Sequence, residues 1–392
     1  MANKGPMNAK ITVNFTDSTA SGEDLYLVSG ENISTSFGKI SKFMKDNTIP
    51  LTSWQQLQRK VRNNDMADIS IGDQYTCSYG QSTLTWDVIG KNQDVPNDPN
   101  YTYSLTLRLH DQLPDAMQFD APEAFYYCSS QLSAGTYYVK ANNNNYQFIL
   151  TSSVPAGGQL VFYNGSTPQV LSYSSATSTT PIQTVNTSSG TSGTNLGTLQ
   201  DNVKSGNLNT CYRSVNGYGN NNWEQSGFRQ WLNSNKAAGN WWTPKNNWDR
   251  PPTYASTLNG FLYDLDPEFV EVLGLVNKVT TYTSADGTGT YTTADLMFLL
   301  SQTEVYGGDR QSGYPEGQAY TFYSEGSSLS APDTGADANR ITYRGGSATS
   351  YWLRTPNPFS SGNVYYVNYG GNINYGNISQ YTLGAVPSCC II

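Results

Sequence analysis

The chain has 392 residues, which suffices for one large domain with additions or for two to three domains. Charged residues make up only 13% while Tyr alone numbers 29, so the polarity rests on neutral hydrogen-bonding side chains, as it does in extracellular β proteins and in paratopes. A net charge of −8 with no basic run argues against a nucleic-acid partner.

The same composition also fits a loop-rich β protein with ordinary polar turns. The first residues, up to Phe15, hold no apolar core of the kind a secretory signal needs, and no stretch is long enough to span a membrane. Of the five cysteines, Cys77, Cys128, Cys211, Cys389 and Cys390, none has zinc-site spacing. The adjacent pair is strained for a bridge, so buried free thiols are expected.

In chain order, residues 1–45 read as a small β unit, with alternation in Ile11–Asp17 and Asp24–Gly30. Ser53–Arg62 reads as a short helix with Leu57 and Val61 on one face. Ile71–Gly80 and Ser82–Asn92 alternate and are expected to pair as a hairpin. Tyr101–Leu113 is another strand. Residues 121–200 change character: short β runs split by Asn and Gly turns lead into an aperiodic Ser/Thr/Gly stretch, Ser174–Gly197. This region is expected to be a β-rich insertion followed by a flexible crossing.

Beyond residue 200 the pattern tightens. Phe228, Trp231 and Leu232 share a helical face. Asp266-Pro267 at the start and Gly274 at the end frame a second helix. Thr292–Ser301 is apolar enough for core. Near the end, Gly370-Gly371 separates two alternating runs and predicts a hairpin turn, with Val364, Val367, Ile373 and Ile378 pointing inward and their neighbours outward.

Five strings occur in order: Phe228–Asn233, Phe261–Gly274, Asp295–Gly307, Tyr351–Pro356 and Gly384–Cys389. In these the chain resembles a family of phage and gut-bacterial proteins with a C-type-lectin-like, formylglycine-generating-enzyme-like fold. Many of its members are variable proteins of diversity-generating retroelements. The likeness runs from about residue 50 to 392, with 121–200 as an insertion. Ten of the nineteen residues from Asn363 to Tyr381 are Asn or Tyr, the trace that adenine-directed mutagenesis of Asn codons leaves. The family often closes on Gly-Val-Arg-Pro, whereas this chain reads Gly384-Ala385-Val386-Pro387.

The resemblance implies an α+β fold. A C-type-lectin-like domain is built from residues 46–120 and 201–392, residues 1–45 serve for attachment or oligomerisation, and a variable region covers about 344–381. Trp352, Leu353, Arg354, Val364, Val367, Ile373, Gly384 and Val386 fall on scaffold positions. The implied ligand-binding, variable positions are Asn357, Phe359, Asn363, Tyr365, Tyr366, Asn368, Tyr369, Asn372, Asn374, Tyr375, Asn377 and Tyr381. The implied function is receptor binding at a phage tail tip, as part of the virion. The partners would be a host surface protein or glycan and other tail proteins, with a homotrimer suited to avidity and no membrane insertion. A glycan-degrading tail enzyme and a structural tail component are the alternatives.

No catalytic, metal or cofactor site is expected. The sole histidine, His110, stands beside Asp111 near a strand end, and one histidine excludes a multi-His metal site. Gly-x-Ser-x-Gly, phosphate-loop and His-Glu-x-x-His patterns are missing from the sequence. Asp264, Asp266, Glu268 and Glu271 fit helix capping. Glu325, Asp333 and Asp337, in a Gly/Ser-rich loop, read as a solvated acidic loop or a weak Ca²⁺ site. Trp241, Trp242 and Tyr254 read as packing or as a sugar-stacking platform. The adjacent cysteines are a poor match to the redox cysteines of formylglycine-generating enzymes.

Overall fold

The structure is a computed structural model, and it describes residues 52–121, 124–127, 130–141, 144–155, 159–164, 168–170, 182–184, 187–198, 221–245, 251–283, 288–307, 315–323, 336–358, 362–378 and 381–392. The chain divides into two compact units, Met1–Ser53 and Trp54–Ile392. The β unit expected over residues 1–45 lies outside the described residues. Strands dominate and helices are few and short, an α+β architecture of several small sheets.

Helix α1 (Ser53–Arg62) buries Leu57 and Val61, as the apolar spacing predicts, and Trp54 with them. Strands β1 (Gln74–Tyr79) and β2 (Ser82–Lys91) form the expected antiparallel hairpin, and β2 pairs onward with β3 (Leu105–Leu109). Every residue of β3 is buried, Arg108 and Thr106 included.

The β-rich segment contains β4 (Ala124–Tyr127), β5 (Gly135–Ala141), β6 (Asn144–Leu150), β7 (Gln159–Asn164), β8 (Pro168–Val170), β9 (Ile182–Thr184), β10 (Thr187–Ser189) and β11 (Thr194–Thr198). They form two small sheets. Tyr137, Val139, Phe148, Leu150, Val154 and Leu160 make a hydrophobic cluster apart from the main core. The flexible crossing read from the Ser/Thr/Gly stretch is corrected here: β9, β10 and β11 lie in it, paired to β7, β6 and β5. Ser188–Asn195 is exposed apart from a half-buried Gly190, so β10 and the start of β11 need no apolar alternation and leave no periodic signal.

Helix α2 (Gly227–Leu232) is capped by Ser226, whose hydroxyl accepts from the Arg229 N–H. Helix α3 (Pro267–Val272) has Asp266 at its N-cap and Pro267 in its first turn, as expected. Gly274 does not close it; Leu273 is the C-cap, in extended conformation, and Gly274 donates to the Cys390 carbonyl. Strands β12 (Val276–Thr281) and β13 (Thr290–Asp295) pair antiparallel. Then follow β14 (Met297–Phe298) and α4 (Gln302–Tyr306), which starts with a complete capping box between Ser301 and Glu304. Met297 to Leu300 are fully buried, as predicted.

After the short hairpin β15 (Thr342–Arg344) and β16 (Ser347–Thr349), a three-stranded sheet runs β17 (Tyr351–Pro356), β18 (Asn363–Val367), β19 (Ile373–Asn377). The last strand, β20 (Ser388–Ile391), returns between β3 and β14 and completes the sheet β1-β2-β3-β20-β14. Both faces of β20 are covered. Cys389 and Cys390, like Cys77, are therefore buried free thiols, and burial pushes both terminal thiols well above their ordinary range. Cys128 and Cys211 lie outside the residues whose side chains are described. Among the described residues no helix is long and apolar enough to cross a membrane.

Candidate ligand-binding surface

The hairpin β18–β19 aligns Asn363 with Asn377, Tyr365 with Tyr375, Tyr366 with Asn374 and Val367 with Ile373. Its loop, residues 368–372, is organised by Asn368. The Asn368 carboxamide oxygen accepts from the Gly370 and Asn372 N–H groups at 2.9 and 3.0 Å, an Asx-type closure that asparagine favours. Gly371 takes φ +80°, the left-handed region that a side chain would strain. From beneath, the Tyr306 hydroxyl at the end of α4 donates to the Gly371 carbonyl at 2.7 Å.

The expected single outward face is corrected by this geometry. Cross-strand partners share a face, so Tyr365 and Tyr375 lie on one side while Tyr366 and Asn374 lie on the other. β18 is the middle strand, and Tyr365, expected outside, is only 2% exposed, nearly as buried as Val364 and Val367 of the same strand. Among the described residues, exposure falls on the edge strand, the loop and the segment just beyond β19. Tyr369 is 69% exposed, Tyr375 52% and Tyr381 51%, and Asn374 is exposed with them. Asn363, Tyr366, Asn368 and Asn372 are half-buried.

Asn357, also expected outside, is buried. Its carbonyl accepts from Asn221 and Thr283, and its N–H donates to the Asn363 carbonyl, so it anchors the foot of the hairpin. Asn377 pairs with Asn363 through its backbone; its side chain, and all of Phe359, lie outside what is described.

At the rim, Gly376 leaves a slot. A Cβ there would stand 2.4 Å from the Tyr381 ring and 3.2 Å from that of Tyr366, so the missing side chain lets both rings lie over β19. The Asn374 carboxamide oxygen accepts from the Tyr375 N–H at 2.8 Å, which covers a backbone donor on the edge strand.

The scaffold side chains are buried: Trp352, Leu353, Arg354, Val364 and Val367 at 0% exposure and Val386 at 2%. Ile373 is half-buried on the edge strand, and Gly384 is buried. Arg354 on β17 grips Glu304 with both terminal nitrogens and reaches the carbonyls of Val279, Leu299 and Glu316. Lys278 bridges Glu304 and Asp94 at 2.5 and 2.6 Å. Asp94 also accepts from Tyr320 and Thr106. Burial works to raise the Glu304 and Asp94 carboxyls, but the adjacent cations outweigh it and hold both below their ordinary values. Glu316 accepts from the Thr281 N–H at 2.8 Å and hydrogen-bonds Thr355. Burial dominates there and pushes it up to about 7.

His110 is also placed. Its Nδ1 lies 2.9 Å from both oxygens of buried Asp87, 23 residues away on the neighbouring strand β2. Gln74 and Arg108 hold the same carboxylate. These groups, with Asp111, Phe322, Asn339 and Tyr343, line an open cleft of about 420 Å³. With its carboxylate engaged by three side chains, Asp87 fits a holding role. Sequence reasoning missed this pairing; its signal is the β2–β3 register, which puts Asp87 opposite Arg108.

Among the other candidates, Asp266 caps α3 as expected. Trp241 is buried, stacked on Tyr254 at 5.7 Å, and donates to the Leu258 carbonyl, which favours packing over a sugar platform. Glu325 and Asp333, and the side chain of Asp337, lie outside what is described; among the described residues no group of three or more His, Cys, Asp or Glu could hold a metal.

Neither the curated proteins nor the solved structures give a match. A family model described as a domain of unknown function, DUF6273, matches residues 178–392, which hold α2 to α4, the three-stranded sheet and β20. The chain therefore belongs to the DUF6273 family, whose match takes in the whole rim formed by the β18–β19 hairpin and Tyr381.

Proposed function

We propose that this chain is a ligand-binding protein whose recognition surface is the rim of the β18–β19 hairpin, centred on Tyr369, Asn374, Tyr375 and Tyr381. The observation that carries this reading is the separation of roles. Exposed, rotamer-poor aromatics sit on the loop (Tyr369), the edge strand (Tyr375) and the segment beyond it (Tyr381), while the loop is tied down independently by Asn368 and Tyr306. Tyr offers a large amphipathic contact at small entropic cost, and its exchange at such positions leaves the core untouched.

The scaffold is of the C-type-lectin-like kind on this reading. The support is the pairing of an early strand, β3, with the last strand, β20, in one sheet, from which the β17–β19 sheet stands apart. The resemblance to retroelement variable proteins adds the biological setting: a phage tail-tip adhesin in the virion that engages host surface molecules, with no catalytic step. The gene, sequenced across related genomes, tests this. Substitutions concentrated at Tyr369, Asn374, Tyr375 and Tyr381, with Val364, Val367 and Gly371 fixed, are expected. Variation spread evenly over the chain would sink the reading.

A further inference from the structure

The electrostatics of the same rim narrow the chemistry of its ligand. Although the chain carries a net charge of −8, no residue after Arg354 is charged, so the whole segment 355–392 lacks an acidic or basic side chain. Among the described residues the exposed groups there are uncharged: the phenol rings of Tyr369, Tyr375 and Tyr381, the Asn374 carboxamide and the Thr382 hydroxyl. A charged polymer would find no countercharge on this segment and would meet the chain's overall negative charge if anionic. An added peptide strand needs open backbone donors along the edge, and the Tyr375 N–H is already taken by the Asn374 side chain. What remains is recognition by side chains alone. Ring faces stack on apolar C–H surface, while phenol hydroxyls and carboxamide N–H groups bond neutral hydroxyls.

Resting on the binding-surface reading above, we infer that the rim takes an uncharged glycan, with Tyr375 and Tyr381 as stacking platforms on opposite sides of β19 and Asn374, on the Tyr381 side, as the hydroxyl partner. Gly376 is part of this device, because the slot it leaves sets the Tyr381 ring against the strand. Binding through such a surface is insensitive to ionic strength, since no exposed charge pair is there to be screened.

Affinity electrophoresis of the full chain tests this, in native gels cast with dextran, mannan, galactan or β-glucan and, as charged controls, alginate or heparin. Retardation by at least one neutral polymer is expected, unchanged when the salt is raised from about 0.1 M to about 1 M. Tyr375→Ala and Tyr381→Ala are each expected to weaken it about tenfold without lowering the melting temperature. Retardation by none of the neutral polymers, retardation only by the charged ones, or retardation that survives both substitutions overturns the assignment. Gene-level diversification of the rim together with any of those outcomes would leave the binding-surface reading standing and remove only the glycan. Absence of both would remove the two together.

Discussion

Arg354 on β17 and Glu304 on α4 are joined twice in the core, Nη1 to Oε2 at 2.5 Å and Nη2 to Oε1 at 3.0 Å. The bond links the strand that carries the binding sheet to the helix whose last residue, Tyr306, holds the hairpin loop. It also explains why the capping box of so short a helix is buried: Glu304 serves the Ser301 N–H and the guanidinium with the same carboxylate.

Arg354→Leu is therefore expected to destabilise the fold by about 3–5 kcal/mol, because it leaves Glu304 buried with only Lys278 as counterion. Urea unfolding measures the loss. A change below about 1 kcal/mol would show that the pair is dispensable and that the hairpin is held by packing alone.

Stability is expected to fall as pH rises from about 5 to 8. Glu316 has its folded value raised above its ordinary one, so its contribution is complete below the ordinary 4.5 and is lost as pH climbs through about 7. At full loss this is on the order of 3 kcal/mol. Glu304 and Asp94 are lowered instead, so they contribute fully above their ordinary range and lose that contribution only on acidification. They leave the neutral window to Glu316. Melting curves across this window should slope downward for the wild type and flatten for Glu316→Gln; parallel curves would refute the assignment.

The tyrosines of the hairpin are expected to split into two classes. Tyr365→Ala removes a buried ring packed edge-on against Tyr375 at 6.0 Å and should cost about 3 kcal/mol. Tyr369→Ala, on the loop, should change stability by no more than about 0.5 kcal/mol. Chemical denaturation of the two variants decides it, and equal costs would contradict the geometry.

The sequence made some of this legible and hid the rest for physical reasons. Helix α1, the β1–β2 hairpin and the core run Met297–Leu300 follow from local periodicity, which a single segment carries by itself. Tyr365 misled because its ring points to the covered side of the middle strand, with Tyr366 on the partly open side, and which face is covered is set by tertiary packing, not by local alternation. Strand β10 and the start of β11 gave no local signal because exposed polar residues satisfy a ladder through backbone groups alone. The Asp87–His110 contact and the network around Arg354 join residues 23 and more apart, which no local pattern encodes. The DUF6273 match places Gly384 to Ile392 in the same family segment as the hairpin, but only the structure shows that β20 leaves that sheet to pair with β3.

Gly376→Ala is the substitution that separates scaffold from surface most cleanly. The added methyl would collide with Tyr381 Cδ2 at 2.4 Å and Cε2 at 2.8 Å, and press on Tyr366 Cε1 at 3.2 Å. All three atoms belong to side chains, and Tyr381 is half in solvent, so the ring can swing out instead of the backbone yielding. The expected result is a stability change within about 1 kcal/mol, with ligand binding weakened as much as by Tyr381→Ala. Thermal melting and a binding titration on the same preparation check both halves. Weakened binding with intact stability makes the seat of the Tyr381 ring part of recognition. Intact binding would mean that Tyr381 contributes nothing from that position and that the working surface is the loop and Tyr375 alone.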